Sequence, residues 1–107
     1  NIERWGPPLC EKNPNITMDI VDNFLTNMYT NRADFVFTVS RDFVQSLETP
    51  LLIAPDNVPS HPYETAMEVA NLAPNSETTI FPWKDSPEHI DEVVVHARRF
   101  LKQNEPL

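Results

Sequence analysis

A chain of 107 residues has room for about one small domain, and a formal net charge of −8 argues against a phosphate-backbone partner, because such partners are held by clustered Lys and Arg that release counterions. Hydrophobic residues at 40% and charged residues at 22% describe a soluble globular chain, and no apolar run approaches the roughly 20 residues that span a bilayer. Nucleic-acid and membrane roles are therefore set aside. The single Cys10 has no partner for an intramolecular disulfide, so a reducing, cytoplasmic compartment is expected, with the acidity serving solubility.

Residues 1–16 are rich in Pro, Asn and charge without an apolar period, which predicts a loop or cut linker. The opening Asn1-Ile2-Glu3-Arg4-Trp5 has neither an initiator Met nor a signal-peptide pattern, so the chain is expected to be a fragment. Asn15-Ile16-Thr17 matches the glycosylation pattern; without a secretion signal, Thr17 is read as a helix cap.

Met18, Val21, Phe24, Leu25 and Met28 recur at three- and four-residue steps and predict a helix to about Asn31 with one stripe facing a core. Residues 34–39 read as a short extended piece. Ser40 is placed to cap a helix through Leu47 with Phe43, Val44 and Leu47 inward. Leu51-Leu52-Ile53-Ala54, bounded by Pro50 and Pro55, reads as a strand buried on both faces of a parallel sheet. Pro62 suits the first turn of a helix burying Tyr63, Ala66, Met67, Ala70 and Ala73, closed by Pro74-Asn75.

Thr78-Thr79-Ile80-Phe81 is the second expected strand. Ser86-Pro87-Glu88 then supplies an N-cap, a proline at the first helical position and an acid in the first turn. In that last helix Ile90, Val93, Val94, Ala97, Phe100 and Leu101 share a face through about Asn104. Strand, crossover helix, strand implies parallel pairing. Two strands leave edges, so an upstream part of the same protein or a second copy is expected to complete the sheet.

The run Thr49-Pro50-Leu51-Leu52-Ile53-Ala54-Pro55-Asp56-Asn57-Val58-Pro59-Ser60-His61-Pro62, the stretch Ala66 to Glu77, and the ending Asp85-Ser86-Pro87-Glu88 with Phe100-Leu101 resemble the end of α/β-hydrolases. The resemblance covers residues 40–104. It implies an α/β fold with a partial parallel sheet, residues 49–107 being the C-terminal βαβα segment and residues 1–48 a linker and lid-like helical segment. It further implies ester or acyl hydrolysis by a longer parent, with no cofactor and a small-molecule substrate. In that family the turn after the penultimate strand carries the triad acid four residues before a Pro, and counting back from Pro62 puts Val58 there. Asp56 or Asn57 is the nearby substitute, Asp56 being the candidate acid, since an acceptor at the carboxyl end of a strand can orient a His.

The loop Pro82-Trp83-Lys84-Asp85 lacks the family's His, and His89 on the helix reads as a surface residue. His61, in the loop leaving the first strand, is the candidate base or substrate contact. Trp83 and Lys84 are candidate substrate contacts at the same sheet end. His89, Glu92 and His96 have helical metal-ligand spacing but no fourth ligand, so no metal is assigned. One glycine cannot make the strained Gly-x-Ser-x-Gly turn, so the nucleophile is expected upstream; the missing triad acid and His favour the alternative, a non-catalytic ligand-binding, structural or oligomerisation module with the same fold.

Overall fold

The computed structural model describes residues 2–30, 34–36 and 38–106. The chain is mixed α/β and mostly helical: α1 (Ile2–Lys12), α2 (Met18–Thr30), α3 (Arg41–Gln45), β1 (Leu51–Ile53), α4 (Tyr63–Leu72), β2 (Ser76–Thr78) and α5 (Pro87–Gln103). It divides between Val39 and Ser40 into two compact units.

The first unit corrects the sequence reading of residues 1–16 as loop, for α1 occupies most of them. Pro7 and Pro8 lie inside this helix and remove two ladder donors, a signal that locally favours a loop. Tertiary packing outweighs it. Gly6 is buried where α1 meets α2, and a Cβ there would lie 2.9 Å from Met18 Cε and 3.1 Å from its Sδ. The chain's one glycine thus marks the close approach of two helices.

The α2 helix starts as expected, with Ile20 N–H donating to Thr17 Oγ1 at 3.3 Å. Its stripe is narrower than predicted: Val21 is buried, Leu25 and Met28 are half-buried, and Phe24 is exposed. The extended piece expected at 34–39 is not a strand among its described residues, which form a turn and bends; Phe37 and the predicted helix end at Asn31 lie outside the described residues. A run of alternating aromatic and aliphatic residues needs a neighbouring strand to become a ladder, and the sheet among the described residues consists of β1 and β2.

In the second unit Ser40 caps α3, its Oγ accepting from Phe43 N–H at 3.2 Å. Val44 is buried and Leu47 half-buried, but Phe43 is half-exposed, contrary to the inward face expected. α3 packs on α4, helped by a two-pronged Arg41–Glu68 ion pair.

β1 and β2 are parallel, with Leu51 opposite Ser76, Leu52 opposite Glu77 and Ile53 opposite Thr78, and α4 is the crossover between them. β2 begins two residues earlier than predicted, although Thr79 N–H still donates to Ile53 O at 2.9 Å. Local bonding explains the shift. Ser76 Oγ donates to Ala70 O at 2.8 Å and Asn75 Nδ2 to Glu48 O at 2.9 Å, so the polar residues after α4 are held in place at the start of β1 and β2. β1 is half-buried, where burial on both faces was expected, and the face of α5 that includes Ile90, Val94 and Leu101 is largely exposed. α5 starts as the sequence requires, with Ser86 Oγ accepting from His89 N–H at 3.2 Å and Pro87 following the cap. The Phe81–Pro82 peptide is cis.

No helix among the described residues is long and apolar enough to cross a membrane.

Candidate functional site

The loops leaving the carboxyl ends of both strands meet, which is where open parallel sheets place ligands. After β1 the chain runs through Pro55, whose side chain is fully buried. Trp83, from the loop after β2, donates its indole N–H to the Pro55 carbonyl at 2.9 Å. The next residue, Lys84, is ion-paired with Asp56 and lies 5.6 Å from the Trp83 ring centre. Three of the four residues singled out from sequence, Asp56, Trp83 and Lys84, thus form one cluster that ties the two loops together.

The Asp56 carboxyl is held below the usual carboxylate range, chiefly by the Lys84 hydrogen bond and then by the Asn57 backbone N–H, which donates to Oδ1 at 2.8 Å. Both stabilise the charged form. His61 enters only as the weakest of the charges acting on Asp56. It closes the turn Val58-Pro59-Ser60-His61, with His61 N–H donating to Val58 O at 2.9 Å and its Nδ1 3.3 Å from Ser60 Oγ. Asp56 orients the lysine, and its hydrogen bonds do not include an imidazole.

A second carboxylate and imidazole sit at this sheet end. His89 Nδ1 donates to Asp85 Oδ1 at 2.6 Å across the first turn of α5. The pair raises the His89 pKa, with the Asp85 hydrogen bond the largest cause and burial opposing it; the Asp85 and Glu92 charges and the Pro82 carbonyl also favour the proton. In the sequence His89 reads as a surface residue. The signal available was the Asp-x-x-x-His spacing, which puts both side chains on one helical edge.

His96, instead of joining His89 and Glu92, donates through Nε2 to Glu77 Oε1 at 3.3 Å. Among the described residues no group of three His, Cys, Asp or Glu is placed to hold a metal ion. Beside the two loops, Tyr63 at the start of α4 and Phe81 before Pro82 form a tilted ring pair with centres 4.7 Å apart and planes at 44°.

No family model matches the chain, and no curated protein and no solved structure matches it.

Proposed function

We propose that these residues form the C-terminal βαβα part of an α/β-hydrolase-type protein that cleaves ester or acyl bonds, with the Asp85–His89 pair as the orienting acid and general base. The observation that carries this reading is the 2.6 Å bond from His89 Nδ1–H to Asp85. It holds the imidazole in the tautomer whose Nε2 accepts a proton.

In the reaction, a hydroxyl nucleophile from outside these 107 residues attacks the ester carbonyl as His89 Nε2 takes its proton. Collapse of the tetrahedral intermediate breaks the bond to the alcohol, which leaves with that proton, and water then releases the acid by the same exchange. Asp85 stays ionised and stabilises the imidazolium. Trp83 and Lys84 border the site as substrate contacts. The single Cys10, free and half-buried, suits a reducing cytoplasm.

A second reading, a non-catalytic ligand-binding or oligomerisation module, is favoured by Asp56 being engaged with Lys84. The partner in that case is an upstream part of the protein or a second copy that completes the sheet beside β1.

Hydrolysis of p-nitrophenyl acetate by the full-length protein decides between them. The hydrolase reading expects activity that falls by about 10³-fold or more in His89→Gln and survives in Asp56→Asn and His61→Ala. An inactive parent, or one unaffected by His89→Gln, selects the non-catalytic reading.

A further inference from the structure

Both strands start at the end of the sheet opposite the loops described above, and a cleft of about 340 Å³ opens there. That volume suits a small molecule. Pro74 and Asn75 lead from α4 into β2 along one side of the cleft, and Phe100, Gln103 and Asn104 supply the last turn and cap of α5. Two helices, α4 and α5, therefore end at the cleft, and the carboxyl end of a helix carries partial negative charge that favours cations. α4 has no basic residue in its last turn, and Lys102 of α5 is not among the residues lining the cleft.

The side chains add acceptors. Asn75 Nδ2 donates to Glu48 O at 2.9 Å and Asn104 Nδ2 to Phe100 O at 2.8 Å. A carbonyl only accepts, so each amide is fixed with its nitrogen on the protein and its Oδ1 left over. The Ser76 hydroxyl hydrogen likewise goes to carbonyls at the end of α4, with Ala70 O at 2.8 Å and Ala73 O at 3.1 Å. Glu77 brings a full charge: its Oε1 takes His96 Nε2 at 3.3 Å, and Oε2 remains. Phe100 contributes a ring whose face attracts cations, within a chain of net charge −8.

An anion meets like charge here, and an apolar group would strip water from the carboxylate and amide oxygens without replacing it. A neutral donor, including the backbone of another segment, matches the oxygens but not the charge. We infer that this cleft binds a small organic cation with N–H donors, of the primary ammonium class. The inference stands apart from the hydrolase reading, since the Asp85–His89 pair lies beyond the other end of the strands.

The test is an NMR titration of the isotope-labelled full-length protein with n-butylammonium, run beside n-butanol and butyrate. Butylammonium is expected to shift the signals of Asn75, Glu77, Phe100 and Asn104, and the alcohol and the anion to bind about tenfold more weakly or worse. Glu77→Gln keeps the size and an accepting oxygen and should weaken butylammonium by about tenfold, the difference between a charged and a neutral acceptor. Phe100→Leu should weaken it about threefold through the lost ring face. Glu11→Gln, which removes the same charge from the first unit, should change nothing. No binding, shifts confined to other residues, equal binding of butanol, or an equal loss in Glu11→Gln and Glu77→Gln overturns the inference. Nα-acetyl-lysine methylamide, titrated in parallel, identifies the source: tighter binding than butylammonium assigns a lysine side chain of another chain, and equal or weaker binding assigns a free amine.

Discussion

Trp83 spans the two strand-end loops to hydrogen-bond the carbonyl of Pro55, a residue whose own ring is fully buried. Pro55 lies past the end of β1, outside its paired residues, and its carbonyl takes the indole N–H from the other loop. Trp83→Phe keeps the ring and removes the donor, so it should cost about 1–2 kcal/mol by leaving a part-buried acceptor unpaired. Urea unfolding checks this, and an unchanged midpoint would show that water replaces the indole.

The Asp56–Lys84 pair has a defined pH signature. The folded-state pKa of Asp56 is lowered, so its contribution to stability is present above the ordinary carboxylate value of about 3.9 and is lost as pH falls through the lowered one. In Lys84→Met the Asp56 titration, followed by carboxyl NMR, should move back up toward the ordinary value. Persistence of the low value would assign it to the Asn57 N–H alone.

For His89 the sign is opposite. Its pKa is raised by Asp85, so the pair stabilises the fold below the ordinary imidazole value of about 6.5 and that contribution is lost as pH rises through the raised one. Asp85→Asn should lower the titration midpoint seen by ring-proton NMR. If His89 is the base, the acid limb of kcat/KM should move to lower pH in the same variant, with a lower plateau.

Gly6 offers a test of the α1–α2 contact. An added methyl meets the mobile end of Met18, and alanine recovers about 1 kcal/mol of helix propensity. Gly6→Ala should therefore change stability by no more than about 0.5 kcal/mol, the gain offsetting the shift of Met18. Gly6→Leu cannot be absorbed by one side chain and should cost about 1–3 kcal/mol. Thermal unfolding of the three proteins compares them.

Ser86→Ala removes the hydroxyl that accepts from His89 N–H and should destabilise α5 by about 1 kcal/mol. Because the same turn positions the His89 ring, the variant should also weaken the effect of Asp85 on the His89 titration.

What the sequence makes legible is local. Thr17, Ser40 and Ser86 announce the starts of α2, α3 and α5 because a cap is a bond between residues three apart. The parallel pairing of β1 and β2 follows from a helix of crossover length between them. What it hides depends on distant partners. α1 forms despite Pro7 and Pro8 because Gly6 can approach α2, and β2 is drawn toward α4 by Ser76 and Asn75. The site divides the same way. Position alone marks Asp56, Trp83 and Lys84 as neighbours at one sheet end, whereas the Asp85–His89 pair lies at the start of α5, outside the family's acid and His positions.

The Asp56–Lys84 contact also acts as a tethered competitor. If Lys84 contacts a ligand, an anion there shares the ammonium with a carboxylate that the fold already holds beside it, whereas an uncharged group does not. The loop tie would thus bias such a contact against anions without a gate or a moving part.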